Sequence, residues 1–158
     1  MRALGALLLF GVITGVGLAT PVPVLVASDG SSRLVLWLGD HEAYGYSYLN
    51  SIYEAPVEER HLRMDDRIQI TSVRSSDLRA VEYFRWEGEA VPTASGYEQV
   101  APRNETSHLT IRVTPPYQQR LVGANWTIDL AGRFGDGVVR VSPERLPLIA
   151  VVLGTWFP

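Results

Sequence analysis

The stretch that decides the fold is residues 57–73, VEERHLRMDDRIQITSV, in which two runs flank the pair Asp65-Asp66. A two-residue polar link between such runs is typical of a tight hairpin turn. In the second run Ile68 and Ile70 alternate with polar residues, which indicates a strand with one buried face. This stretch therefore predicts an antiparallel β-hairpin.

Other short runs of β-forming residues lie on both sides of this hairpin. They are residues 33–38 (RLVLWL), 81–86, 109–113, 126–130 and 137–141. Residues 88–107, rich in Gly, Pro, Ser, Thr and Asn, predict a long loop or a pair of turns. No apolar helical periodicity is sustained after Val26, and strands broken at short intervals by turn signals are typical of sandwiches and barrels. We predict an all-β chain: a single small β-sandwich or partly open barrel.

The N-terminal segment is apolar and uncharged from Ala3 to Val26, a length that suits a bilayer-spanning helix. Arg2 precedes it, so the N-terminal end is expected to stay in the cytoplasm. Two interpretations remain open: a signal peptide cut near Thr20, and an uncleaved anchor, which the length favours. Residues 1–26 are thus assigned to a signal anchor or signal peptide, and residues 27–158 to a β-domain outside the cytoplasm, periplasmic or extracellular.

The C-terminal tail, residues 146–158 (LPLIAVVLGTWFP), is also apolar but too short to span a bilayer. A final buried strand at residues 149–153 is the favoured interpretation. The alternative is an interfacial segment that returns to the membrane, with Trp156 at headgroup level.

Composition excludes several classes of function. The chain has no cysteine, which rules out disulfides, thiolate metal sites and a cysteine nucleophile. Its formal net charge of -3 is too balanced to indicate a nucleic-acid partner. The three histidines share no ligand spacing, so we expect no metal and no cofactor. With no Gly-x-Ser-x-Gly elbow and no histidine partner for Ser51, an enzyme is the least favoured class.

Residues 50–59, NSIYEAPVEE, resemble the domain of unknown function 1850 family, in which a His-Ser-Val strand precedes a Glu-Glu pair. The matching positions are Ser51, Ile52, Tyr53, Pro56, Val57, Glu58 and Glu59. The flanking layout also agrees, over residues 24–152. Two features depart from the family pattern: Asn50 replaces the histidine, and residues 75–80 lack the Ser-x-Gly-Ala-Gly segment. The resemblance implies a non-enzymatic accessory protein of a tripartite ATP-independent periplasmic (TRAP) transporter of the TAXI branch.

The same motif supplies the candidate site. Glu58 and Glu59 are adjacent, so they point to opposite faces of a strand and cannot act together as an acid/base pair. One of them should point into a cleft, where it either fixes a bend or contacts a ligand. Pro56 predicts an edge strand or a bulge.

The alternative function is therefore a small-ligand-binding module. It would combine a face of three alternating tyrosines, Tyr44, Tyr46 and Tyr48, with a cleft formed by Asn50, Tyr53 and Glu59. Asn104, in an Asn-x-Thr motif of the polar loop, is the favoured glycosylation acceptor.

Overall fold

Twelve strands and three short helices make up the part of the chain described by the computed structural model, which is residues 18–156, with side chains described through residue 153. The strands are β1 (Pro21–Ser28), β2 (Arg33–Trp37), β3 (Ala43–Asn50), β4 (Ala55–Met64), β5 (Arg67–Ser75), β6 (Val91–Thr93), β7 (Gly96–Val100), β8 (Glu105–Thr106), β9 (Leu109–Val113), β10 (Arg120–Val122), β11 (Thr127–Asp129) and β12 (Gly137–Pro147). The helices are α1 (Leu78–Glu82), α2 (Leu130–Phe134) and α3 (Leu148–Trp156), with a single 3₁₀ turn at Pro115–Tyr117.

The strands form two antiparallel sheets. The first has the order β2-β1-β12-β9, and the second has the order β11-β10-β3-β4-β5-β7-β6, with β8 beside the start of β5. The sheets do not close into a barrel, and the fold is sandwich-like. The predominantly β architecture predicted from the sequence is confirmed.

The central hairpin forms where the sequence predicts it. Arg67 of β5 pairs with Met64 of β4, and Asp65-Asp66 makes the link. Asp65 adopts a positive φ of 51°, a conformation that acidic side chains tolerate better than most.

The main core fills the space between the inner faces of the two sheets. Its fully enclosed members come from both sheets and include Leu25, Leu38, Ile68, Val113, Leu121 and Val139. A second, smaller core lies between α1 and the strands β4 and β5, around Val57, Val73 and Val81. A third group, on the outer face of the first sheet, lies under α3.

An ion-pair network with one buried member, Arg63, lies at the end of β4. Arg63 is fully buried, and its guanidinium pairs with Asp40 and donates to the carbonyl of Glu144. Asp40 also pairs with Arg145, which lies 3.5 Å from the carboxylate of Asp65. Because a charge in a core needs a partner, Asp40 is the group that makes Arg63 tolerable there.

Three sequence predictions about secondary structure were wrong. Residues 81–86 do not form a strand, because Asp77 caps α1 by accepting from the Arg79 amide and the helix buries Ala80 and Val81. Residues 88–107 contain three short strands, β6 to β8, rather than only loops. Residues 130–134, predicted as strand end and turn, form α2, capped by Asp129.

Both ends of the β-domain also differ from prediction. Pro21–Ser28, of which residues 21–26 were assigned to the leader, form β1 between β2 and β12. The β-domain therefore begins at Pro21. The tail predicted as a final strand forms the helix α3, because Pro147 ends β12 and the apolar residues that follow cover the outer face of the first sheet.

The prediction of a membrane-spanning leader helix falls mostly on residues 1–17, which lie outside the described residues. Within residues 18–156, no helix has the length and apolar content needed to cross a bilayer.

Candidate functional site

Three tyrosines share the inner face of β3, as their alternation predicts. Tyr44 is buried, at 3% exposure, and belongs to the main core. The rings of Tyr46 and Tyr48 stack with centroids 5.0 Å apart and an interplanar angle of 29°. The strand thus presents one phenol to the core and two towards the opening between the sheets.

Glu59 and His61 lie opposite these tyrosines on β4. Glu59 pairs with Tyr46 and His61 pairs with Tyr44, so all four side chains project from the same face of the sheet. The His61 ring stacks on Tyr44 at 5.0 Å, and its Nε2 lies 3.6 Å from Oε2 of Glu59. The result is a polar cluster at the border of an apolar core.

Glu59 is held in an environment that disfavours its charge. Only 16% of its side chain is exposed, and burial raises its pKa to about 7, although a hydrogen bond from Tyr48 opposes this rise. No arginine within residues 18–156 lies at salt-bridge distance from this carboxyl group. Glu59 is therefore ionised in only part of the molecules at neutral pH, and a phenol is the group that hydrogen-bonds its carboxyl group.

His61 does not neutralise that charge. It is fully enclosed, and burial lowers its pKa to about 4, so the imidazole is neutral at pH 7. Neither ring nitrogen has a hydrogen-bond partner among the described residues, and the same holds for the hydroxyl of Tyr44. Unsatisfied buried polar atoms of this kind are uncommon in folded proteins and mark this cluster as unusual.

A cavity opens beside this cluster, between the second sheet and the edge strand β9 of the first. We call it the Glu59 cleft; it measures about 280 Å³ and is lined by Tyr46, Tyr48, Glu59, Leu109, Thr110, Ile111 and Arg112. The guanidinium of Arg112 at its rim is 68% exposed and pairs with Asp136 at 2.9 Å. The cleft thus has an apolar and aromatic wall, an inner carboxyl group and a rim charge that is already compensated.

Gln119 fixes one wall of the cleft. Its side-chain amide donates to the hydroxyl of Tyr46 at 3.0 Å and to the carbonyl of Arg112 at 2.7 Å. Its carbonyl accepts from the Thr114 amide at 2.7 Å. Because Gln119 is itself buried, these bonds tie β3 to β9 and hold the Tyr46 ring in place. Burial raises the pKa of Tyr46 to about 12, so it remains a neutral phenol.

Glu58 lies outside the cleft. Its side chain is 47% exposed on the opposite face of β4, and its Oε1 lies 3.5 Å from Nε of Arg60. Of the Glu58-Glu59 pair, Glu59 is thus the inward member.

The other motif residues do not join Glu59. Asn50 is buried, but its Oδ1 accepts from the amides of Ile52 at 2.9 Å and Tyr53 at 3.1 Å, which fixes the turn between β3 and β4. Ser51 is exposed in that turn, and the cavity that it lines contains no histidine. Tyr53 packs on the second core, under the guanidinium of Arg79 at 5.2 Å. The predicted cleft of Asn50, Tyr53 and Glu59 is therefore wrong in composition.

Pro56 lies at a local edge of the sheet, as predicted, because it pairs with Leu49 of β3 and has no partner in β5, but the strand as a whole is not an edge strand. β4 is a central strand between β3 and β5, and the register shift lies between Arg60 and His61. Pro56 is tolerated because it precedes Val57, the first residue of β4 that pairs with β5.

A larger depression, of about 570 Å³, lies beside Tyr53 and the start of α1. Of its three charged members, Asp77 and Arg79 pair with each other at 2.5 Å and Glu54 is exposed to solvent. The helix is too short to offer an anion site. We therefore place the candidate site at the smaller Glu59 cleft, where a polar group lacks a charged partner.

The two remaining sequence predictions concern glycosylation and metal. Asn104 is exposed in the loop between β7 and β8. Within the part of the chain that the structure describes, no three His, Asp or Glu side chains converge on one point.

The member of this polar cluster that was not predicted from the sequence is His61. It stands two positions from Glu59 on the same strand, and this spacing places two side chains on one face. That signal was available once the strand was assigned.

Comparison with known proteins adds no family: no family model, curated protein or solved structure matches the chain.

Proposed function

We propose that this chain is a small-molecule-binding domain whose Glu59 cleft takes an organic cation. The observation that carries the proposal is the carboxyl group of Glu59, which is largely buried, lines a cavity with two phenol rings and has no cationic partner among the described residues. A bound ammonium group would supply the missing charge and pack against aromatic faces, an interaction that gains strength when desolvated. The volume of about 280 Å³ limits the ligand to a small molecule.

The test is binding of choline, ethylammonium and putrescine, measured by isothermal titration calorimetry on the full chain. Dimethylbutanol, the uncharged isostere of choline, is the matched ligand control. We expect at least one cation to bind, its neutral isostere to bind at least about tenfold more weakly, and affinity to rise as pH increases through 7 because Glu59 then ionises.

The protein variants separate the two glutamates. Glu59→Gln keeps the shape of the side chain but removes its charge, and we expect it to weaken cation binding at least about tenfold. Glu58→Gln, on the exposed face, should bind as the wild type does. Failure of all three cations to bind, or an equal loss in Glu58→Gln, would refute the proposal.

A second candidate is the accessory role at a TRAP transporter that the resemblance implies, for a membrane-anchored domain outside the cytoplasm. The observation that favours it is Ile52, which lies within the resembling stretch and is 59% exposed in the turn between β3 and β4. An exposed apolar side chain in such a turn is suited to a protein contact.

This role is tested by co-purification with the membrane subunits of the transporter in mild detergent. We expect Ile52→Asp to reduce recovery of the partner, whereas Val100→Asp, at a site on β7 that is 67% exposed, should not. No recovery with the wild-type chain would contradict the accessory role and leave the cleft proposal unaffected.

A further inference from the structure

Helix α3 packs on the outer face of the first sheet, next to the point where the chain enters the domain. The amide of Leu148, its first residue, donates to the carbonyl of Thr20 at 3.0 Å. Val151 is 2% exposed and packs against Val24, Val26 and Val35. The helix is therefore an integral part of the domain, fixed to the residue that precedes β1.

The outward side of α3 is apolar. Ile149 is 44% exposed, Val152 44% and Leu153 51%, and these positions share one helix face. No residue of α3 carries a charge. A helix on the surface of a water-soluble domain normally turns charged or polar side chains to solvent, so this surface has the character of a face that is covered.

Two further residues extend this apolar surface. Trp37 pairs with Val24 across β1 and β2, so both side chains lie on the outer face of the sheet, and Trp37 is 53% exposed. Leu18, directly before the start of the domain, is 37% exposed. Tryptophan is enriched where proteins meet the headgroup region of a bilayer.

The amino-acid sequence before the domain indicates that the partner of this apolar surface is a lipid bilayer. From Ala3 to Val26 the sequence has no charged residue, and Thr20, within this stretch, is the residue that bonds to Leu148. If the part of this stretch before Thr20 enters a bilayer, the exposed face of α3 lies at the bilayer surface, because the first residue of α3 is hydrogen-bonded to Thr20.

We propose that α3 is a second membrane contact, which lies in the bilayer interface with Ile149, Val152 and Leu153 among the lipids. Nine residues of helix extend about 14 Å, which suits a segment that lies along the surface and does not cross it. Together with the leader, the helix fixes the orientation of the domain relative to the membrane. This inference shares with the accessory role the premise that the leader enters a bilayer; it does not depend on the ligand of the cleft.

The absence of native cysteine permits a direct test with single-cysteine variants of the full chain in phosphatidylcholine vesicles. A polarity-sensitive fluorophore is attached at Ile149→Cys or Leu153→Cys, and its quenching by brominated lipids is measured. The matched control is Asp66→Cys, beside Asp65 at the same end of the domain, where Arg145 approaches Asp65. Val12→Cys reports separately on insertion of the leader.

We expect fractional quenching at Ile149→Cys and Leu153→Cys to exceed that at Asp66→Cys by about twofold or more, as for an apolar face that enters the headgroup boundary. Equal quenching at the three positions would overturn the proposal, even if Val12→Cys is quenched and the leader is inserted. A blue shift at α3 without lipid quenching, together with a dimeric mass in detergent, would also overturn it in favour of a second copy of the chain. Urea denaturation of each labelled variant, compared with the wild type, checks that the domain is folded.

Discussion

Opposite pH dependences of stability should appear when Glu59 and His61 are removed one at a time. Burial raises the pKa of Glu59 from 4.5 to about 7. Between these values the folded state holds a proton that the unfolded state has released, so Glu59 destabilises the fold as pH rises through this range. At about 1.4 kcal/mol for each tenfold change in proton affinity, the accumulated cost above pH 7 is about 3 kcal/mol.

His61 acts in the opposite direction. Burial lowers its pKa from 6.5 to about 4, so between these pH values the unfolded state is protonated at His61 and the folded state is not. This costs about 3 kcal/mol by pH 4. Between pH 4.5 and 6.5 the unfolded chain binds a proton at His61, and the folded chain binds one at Glu59. The two effects on the free energy of unfolding therefore largely cancel in the wild type over this range.

The variants separate these effects. Relative to the wild type, Glu59→Gln should gain about 3 kcal/mol in the free energy of unfolding between pH 4.5 and 7. His61→Phe, which keeps a ring to stack on Tyr44, should gain about 3 kcal/mol relative to the wild type as pH falls from 6.5 to 4. Comparison with the wild type cancels the contribution of other titrating groups.

The assay is urea denaturation followed by tryptophan fluorescence at several pH values, analysed as a two-state transition. Glu58→Gln, on the exposed face of the same strand, is the matched control for removing one glutamate charge from β4. A difference between Glu59→Gln and the wild type that does not change with pH would refute the buried environment assigned to Glu59.

Two further variants test the packing of the domain by urea denaturation. Asp40→Asn leaves the fully buried charge of Arg63 poorly compensated and should lower the free energy of unfolding by about 3–5 kcal/mol. Its control, Asp65→Asn, removes the charge of a carboxylate that is 72% exposed and should lower it by less than about 1 kcal/mol. Similar losses in the two variants would show that the pair of Arg63 and Asp40 is not buried. Gly96 has a φ of 142°, and Gly96→Ala places a methyl group against the carbonyl oxygen of Ser75, so it should lower the free energy of unfolding by more than about 2 kcal/mol. Gly137→Ala places its methyl group in open space and should be tolerated. A Gly96→Ala variant as stable as the wild type would contradict the geometry of the β6–β7 hairpin.

The strands that alternate clearly were predictable from the sequence. Leu109–Val113 forms a strand with the predicted limits, and the Asp65-Asp66 hairpin has the predicted register. In both cases the local pattern and the tertiary environment favour the same conformation, since one face of each strand is buried and the other is polar or exposed.

The segments that were predicted wrongly are those in which short apolar runs fit more than one structure. Residues 149–153 suit a buried strand as well as a helix, and the choice depends on an outer sheet face that only the assembled fold provides. Pro21–Ser28 is uncharged and follows an apolar segment of sequence without a break, so the sequence does not show that it belongs to the sheet.

The candidate site was predictable in part. Strand alternation identifies the tyrosine face and requires one of Glu58 and Glu59 to point inward. It does not reveal that β9 approaches this face from the other sheet, because that contact joins residues about 50 positions apart in sequence. Asn50 was misassigned since its role in the turn depends on the backbone conformation of residues 51–54.

The measurement that most directly tests the role of Glu59 is an NMR titration of its side-chain carboxyl carbon, with and without saturating choline. In the free protein we expect a midpoint near pH 7, well above the ordinary value of 4.5. With choline bound, the adjacent positive charge should lower this midpoint, because it stabilises the ionised carboxylate. A midpoint near pH 4.5 in the free protein would contradict the desolvated environment assigned to Glu59. A midpoint that choline leaves unchanged would contradict binding of a cation beside this carboxylate.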